Sequence, residues 1–171
     1  MVTKKRLLPA ARLVKGLACF LLTATSLFFT SCNNPFSPIE DLDKIPESLV
    51  VAGFKITMQT YLYRDFMPST EPDGSELRAI ITLIAQNAPT FPDFITGDKL
   101  YVIRGTETWE SAFFDEIRPS DPGHLNQITL LVDHGPKWPV GSLVKVVVRL
   151  DIKGQGYKYL KALDQTIWAT Y

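Results

Sequence analysis

From residue 48 onward the sequence is organised by a period of two, and that period decides what the chain can fold into. Phe54, Ile56, Met58, Thr60 and Leu62 alternate with Lys55, Thr57, Gln59, Tyr61 and Tyr63. A strand sends successive side chains to opposite faces, so the pattern buries one set and exposes the other. Leu77, Ala79, Ile81, Leu83 and Ala85 repeat it, and Ile80 and Ile84 make the second face apolar too, as in a central strand. Further strands are expected over Lys99–Arg104, Glu107–Phe114, Gln127–Asp133, Leu143–Ile152 and Tyr157–Leu163, with Gln165–Thr170 extending the last after a bulge. The piece from Glu107 is ambiguous, because Trp109, Ala112, Phe113 and Ile117 also fit helical spacing; Gly105-Thr106 before it favours a hairpin and hence a strand. Between these runs lie turn-rich stretches: Asp65–Glu76 with Pro68, Pro72 and Asp73-Gly74, the Pro89–Gly97 link, Arg118–Gly123, the Gly135–Gly141 corner and Lys153-Gly154-Gln155-Gly156.

Seven or eight strands in about 120 residues, with long cross-connections and one tight terminal hairpin, are expected to make an all-β Greek-key sandwich. With Trp138-Pro139-Val140-Gly141 at the corner before the penultimate strand and Gly154 and Gly156 in the last hairpin, the order resembles immunoglobulin-like and fibronectin-III-like domains. The Cys…Trp…Cys pattern of antibody domains is absent. The alternative is a small up-and-down barrel of lipocalin type, whose Gly-x-Trp motif corresponds to a stretch reading Gly53-Phe54-Lys55 here.

The amino-terminal third obeys other rules. All 18 acidic residues follow position 39, whereas Lys4, Lys5, Arg6, Arg12 and Lys15 fall in the first fifteen, so the formal net charge of zero sums two unlike segments. An uncharged, mostly apolar run from Leu17 to Phe29 follows the basic stretch, short of the roughly 20 apolar residues of a membrane span and suited to a secretory signal over residues 1–31. Phe29-Thr30-Ser31-Cys32 resembles the bacterial lipobox, with Phe29 where Leu is commonest. The resemblance implies that Cys32 is acylated and begins the mature chain. Cys19 leaves with the signal, so no free thiol remains for a disulfide, zinc or nucleophilic catalysis. Residues 32–47, with three prolines and no sustained period, read as a lipidated tether that reaches about 50 Å when extended, and residues 48–171 as the sandwich domain. The 140-residue mature chain suffices for an independent core. Processing leaves 13 Lys+Arg against 18 Asp+Glu, a net charge of −5, which speaks against nucleic-acid binding.

Signs of catalysis are sparse. His124 and His134 flank one strand and stand too far apart to share a metal. Gly-x-Ser-x-Gly does not occur, and Gly154-Gln155-Gly156 has Tyr159 where a dinucleotide loop needs its third glycine. Asp65, Glu71, Asp73 and Glu76 offer oxygen ligands for calcium, yet lack regular Asp-x-Asp spacing and read as a solvated acidic loop. No cofactor is expected. The most suggestive set is aromatic: Tyr61 and Tyr63 oppose the inward face of the first strand, Tyr157 and Tyr159 share a face of the last, and Trp168 lies near its end. If first and last strands are neighbours, some of these rings form one outward patch for a protein or a glycan. The expectation is a non-enzymatic, lipid-anchored binding or assembly module of a bacterial cell envelope, attached through Cys32. Asn33, rather than Asp, favours the outer membrane by resemblance to enterobacterial sorting. Periplasmic and surface display both stay open. The alternatives are a small-molecule carrier with an internal apolar cavity and, third, a hydrolase.

Overall fold

A computed structural model describes residues 41–68 and 70–171; the expected signal segment 1–31, Cys32 and tether residues 33–40 lie outside the described residues. Among the described residues nine strands follow one 3-10 turn at Leu42–Lys44: β1 Leu49–Val51, β2 Phe54–Asp65, β3 Leu77–Gln86, β4 Ile95–Arg104, β5 Glu107–Ala112, β6 Asp115–Ile117, β7 Gln127–Gly135, β8 Leu143–Ile152 and β9 Gly156–Thr170. The number exceeds the expected seven or eight because β1 and β6 have three residues each, too few to display a period. β1 folds back on β2 through Ala52-Gly53, both at positive φ, as a two-residue hairpin turn requires.

The strands form two faces of one continuous sheet. Sheet A runs β6–β7–β3–β2, with β1 against the start of β2, and sheet B runs β5–β4–β8–β9. β3 lies beside β7 and β4 beside β8, so chain neighbours β3 and β4, like β7 and β8, sit in different sheets. That is a Greek-key order and not an up-and-down meander. The sheets are joined along one flank by β9, whose first half pairs antiparallel with β8 and whose second half pairs parallel with β2, from Leu62↔Ile167 to Asp65↔Thr170. The register shifts between Val144 and Val146, opposite Asp164, which sits at φ 54. This is the bulge that separates Tyr157–Leu163 from Gln165–Thr170.

The inner faces supply one core. Ile56 and Leu62 of β2, Ile81 and Leu83 of β3 and Ile128 and Leu130 of β7 meet Leu100 and Val102 of β4, Val146, Val148 and Leu150 of β8 and Leu160 and Ile167 of β9. Each of these side chains is at most 1% exposed. At roughly 1.5–3 kcal/mol per fully buried aliphatic side chain, this layer holds the sheets together.

Two expectations need correction. β5 ends at Ala112, because the chain turns into the other sheet there: Phe113 packs against the core while Phe114 points outward. The domain also begins before residue 48. Leu42 and Ile45, expected in a free tether, are 7% and 5% exposed and pack on Tyr101, Ile103 and Val147, outward residues of sheet B. Lys161 Nζ donates to the Leu42 carbonyl at 2.9 Å, and the Lys161 N–H donates to the Pro46 carbonyl at 3.0 Å. The physical reason is that Tyr101 and Ile103 of β4 and Val147 of β8 form an apolar cluster on the outer face as well, and that cluster needs a cover. Residues 41–46 are that cover, a strap across sheet B.

Candidate functional site

The strap covers the apolar cluster on the outer face of sheet B, whereas the outer face of sheet A carries large apolar side chains that stay exposed among the described residues. The alternation of β2 puts Tyr61 and Tyr63 outward, opposite Leu62 and the core. The parallel register sets Tyr63 beside Trp168 of β9; antiparallel pairing sets Tyr61 beside Ile80 of β3, and Ile80 beside Leu131 of β7. Phe114 follows, its N–H donating to the Leu131 carbonyl at 3.1 Å, and β6 ends in Ile117. The result is an aromatic and aliphatic band that crosses five strands at right angles to the chain. Trp168 is 55% exposed, Phe114 61%, Ile117 44% and Tyr61 40%. A shallow groove of about 280 Å³ runs within it, lined by Tyr63, Arg78, Ile80, Phe114, Leu131 and Asp133.

The rings have a defined posture. Tyr61 and Tyr63 stack on each other, centroids 5.1 Å apart and planes 23° from parallel. Residues two apart on a strand can stack this way only if the rings stand upright on the sheet, which turns edges and hydroxyls outward and takes up one face of each ring.

Of the five aromatic residues singled out in the sequence, Tyr61, Tyr63 and Trp168 therefore come together, and Tyr157 and Tyr159 do not join them. Tyr157 and Trp168 stand eleven positions apart on β9, roughly 35 Å at strand rise, and the strand changes sheet on the way. Tyr157 lies under the Arg149 guanidinium, 4.5 Å from its ring centroid, and Tyr159 packs against the strap cluster. With Ile45, Pro46 and Leu49 these two tyrosines line a second groove, of about 330 Å³.

Ile80, Leu131, Phe114 and Ile117 were not singled out from the sequence as site residues. A usable signal was present in the doublets Leu130-Leu131 and Phe113-Phe114. Adjacent large apolar residues in a strand cannot both face the core, so one of each pair must lie outside.

The ionisable candidates are engaged by their neighbours. His134 Nδ1 lies 2.7 Å from the Glu76 carboxylate, and His124 Nδ1 lies 2.6 Å from Asp121. Lys137 Nζ bridges Glu71 at 2.5 Å and Asp73 at 2.9 Å, and its hydrogen bond holds the Asp73 carboxyl below the usual range. The Asp65 carboxylate accepts the Met67 N–H at 2.9 Å. The four carboxylates of the 65–76 loop thus turn to three protein partners, Asp65 to the Met67 N–H, Glu71 and Asp73 to Lys137, and Glu76 to His134, and among the described residues no three His, Cys, Asp or Glu side chains converge on a point where a metal could sit. Comparison with protein-family models, with curated proteins and with solved structures finds no match in any of the three.

Proposed function

We propose that this chain is a lipid-anchored binding module of a bacterial cell envelope that docks a protein through the aromatic band of sheet A. The observation that carries the reading is the band itself. A sheet with one face on the core ordinarily shows polar residues on the other, whereas here Trp168, Tyr61, Ile80, Leu131 and Phe114 adjoin across the outer face. Exposed apolar residues are common singly; contiguous ones, Trp and Tyr among them, mark protein interfaces. A protein is favoured over a glycan because sugar rings stack on open aromatic faces, and Tyr61 and Tyr63 spend a face of each on one another.

The carrier reading has less support. The grooves of the domain lie on its outer surface, and the space between the sheets is taken by side chains that are at most 1% exposed. A hydrolase would need a nucleophile beside an oriented base, and both histidines are exposed partners of carboxylates on separate loops. Anchoring rests on the lipobox resemblance at Phe29–Cys32, and the net charge of −5 after processing leaves the lipid as the basis of membrane attachment.

Photo-crosslinking amino acids placed in turn at Phe114, Trp168 and Tyr157 test the reading in native membranes. A shared protein adduct is expected from Phe114 and Trp168 and not from Tyr157. Tyr63→Ala should reduce that adduct by 10-fold or more, as loss of a central interface ring does. Adducts from Tyr157 alone would refute the assignment of the face.

A further inference from the structure

The outer face of sheet A carries matching chemistry on either side of one line, which runs along the strands between β3 and β7. Across that line the antiparallel register sets Thr82 beside Thr129 and Ile80 beside Leu131. One step on, Arg78 and Asp133 stand on either side where the register begins to shift, and both line the groove of the band. The next columns match as well. On β2, Tyr61 neighbours Ile80 and Tyr63 neighbours Arg78. On the other flank, Asp115 of β6 neighbours Leu131, and Phe114 precedes it. Thr answers Thr across the line, Ile answers Leu, guanidinium answers carboxylate and phenol answers carboxylate. The charges are also on offer. Arg64, Arg104, Arg118 and Arg149 are each held by acceptors of their own chain, whereas Arg78 is exposed and has no hydrogen bond or ion pair among the described residues. A guanidinium left at an apolar groove is satisfied best by a carboxylate that faces it.

We propose that sheet A packs face to face on sheet A of a second copy of this chain, about a two-fold axis that lies in the plane of contact along the line between β3 and β7. This pairing rests on the docking of a protein through the band and makes that protein a second copy. Because the axis runs along the strands, each row keeps its level: Thr82 meets Thr129 of the second copy, Ile80 meets Leu131, and Arg78 meets Asp133, each contact made twice. In the outer columns the Tyr61 hydroxyl comes to the Asp115 carboxylate and Tyr63 to Phe114. The strands of the two copies stay nearly aligned, the usual arrangement of packed sheets. Four strands at ~4.8 Å and seven residues at ~3.3 Å make a face of about 19 by 23 Å, or about 440 Å² in plan. Side-chain relief raises the accessible area above the plan area, so two copies together bury about 1,000–1,200 Å², the lower bound for a specific interface. The dimer is therefore a weak and reversible one. An isologous contact closes at two copies and does not propagate.

The test uses two full-length copies with different tags, expressed together, one of them carrying a photo-crosslinking amino acid at Phe114. Light should give an adduct that bears both tags. Arg78→Asp in both copies, or Asp133→Arg in both, sets like charges face to face twice and should reduce that adduct about 10-fold or more. Arg78→Asp in one copy and Asp133→Arg in the other sets opposite charges face to face at both contacts and should restore the adduct to within about 2-fold of the original. Restoration by mixing also shows that each variant folds. A two-tag adduct indifferent to these charges overturns the axis between β3 and β7. An adduct from Phe114 that holds a different protein and never the second tag overturns the second copy as occupant and leaves the band as a docking face. No adduct of either kind removes both readings.

Discussion

Replacing Arg64 by Met isolates the one charged side chain that is buried among the described residues. Arg64 continues the inward face of β2 at the rim of the sandwich and is 6% exposed. Its guanidinium is held by main-chain carbonyls: Ser75 at 2.8 Å from Nε, Trp138 at 3.2 Å and Lys137 at 3.4 Å from Nη1, and Asp73 from Nη2. The ring of Phe66 lies 5.2 Å from Cζ. One side chain thereby ties the 66–76 loop to the corner between β7 and β8. Met keeps the aliphatic stem and most of the volume, so the loss is polar: carbonyls without a donor cost about 1–3 kcal/mol each where water cannot replace it. Burying the guanidinium itself is costly, and the mutation relieves that term. With water able to reach some of the carbonyls at the rim, the net loss is about 3 kcal/mol. For the 131 residues from 41 to 171, unfolding entropy of roughly 2.1 cal/mol/K per residue converts this to a fall of about 11 °C in Tm. Thermal unfolding followed by circular dichroism reads it directly. Arg64→Lys should fall between, because one ammonium cannot serve a planar fan of acceptors. A fall of less than about 3 °C for Arg64→Met would refute the reasoning, since desolvation of the guanidinium would then cancel its hydrogen bonds.

Two further outcomes are expected. Leu42→Ala removes three carbons from the buried end of the strap, a loss of about 2 kcal/mol at ~0.8 kcal/mol per methylene. Urea unfolding measures it, and amide exchange at Lys161, whose N–H the strap accepts, should speed up in the same variant. An unchanged midpoint and exchange rate would mean that the strap is not docked. The hydrogen bond that His134 donates to the Glu76 carboxylate, with help from Asp133, raises the pKa of His134 above its ordinary 6.5. A raised folded-state pKa adds stability that is fully present below 6.5 and is lost as pH climbs through the higher value. Tm should therefore be slightly higher at pH 6 than at pH 8.5, and Glu76→Gln should flatten the difference. Asp73 and Asp121 are shifted below 3.8 and Lys99 and Lys137 above 10.5, so these groups do not titrate in that window. A pH dependence unaltered by Glu76→Gln would assign it elsewhere.

The long strands were legible because each carries at least four alternations. β2, β3, β7 and β8 lie where the period of two put them, and the bulge at Asp164 interrupts β9 where its period slips. The strap was illegible for the converse reason. Leu42 and Ile45 sit among prolines and charges without a period, and their burial is dictated by a distant surface. The clue to that surface was Val146-Val147-Val148, an unbroken apolar run of a strand covered on both faces. Arg64 stands one step beyond the Phe54–Tyr63 alternation, and that step places it inward. In the aromatic set, parity put Tyr61 and Tyr63 outward as observed. Parity says nothing of distance along a strand, so it could not separate Tyr157 and Tyr159 from Trp168.

The passage of β9 from one sheet to the other also bears on aggregation. An open strand edge invites a neighbouring chain to zip against it. β9 bridges to β2 on one flank, and the strap takes the Lys161 N–H on the edge of β9 that precedes the bridge. On the opposite flank lie β5, six residues long with Glu107 and Glu110 held by Arg104 and Lys99, and β6, three residues long. Short edges studded with charge are poor templates for a further strand. The outer face of sheet A can thus stay apolar while the edges beside it resist polymerisation.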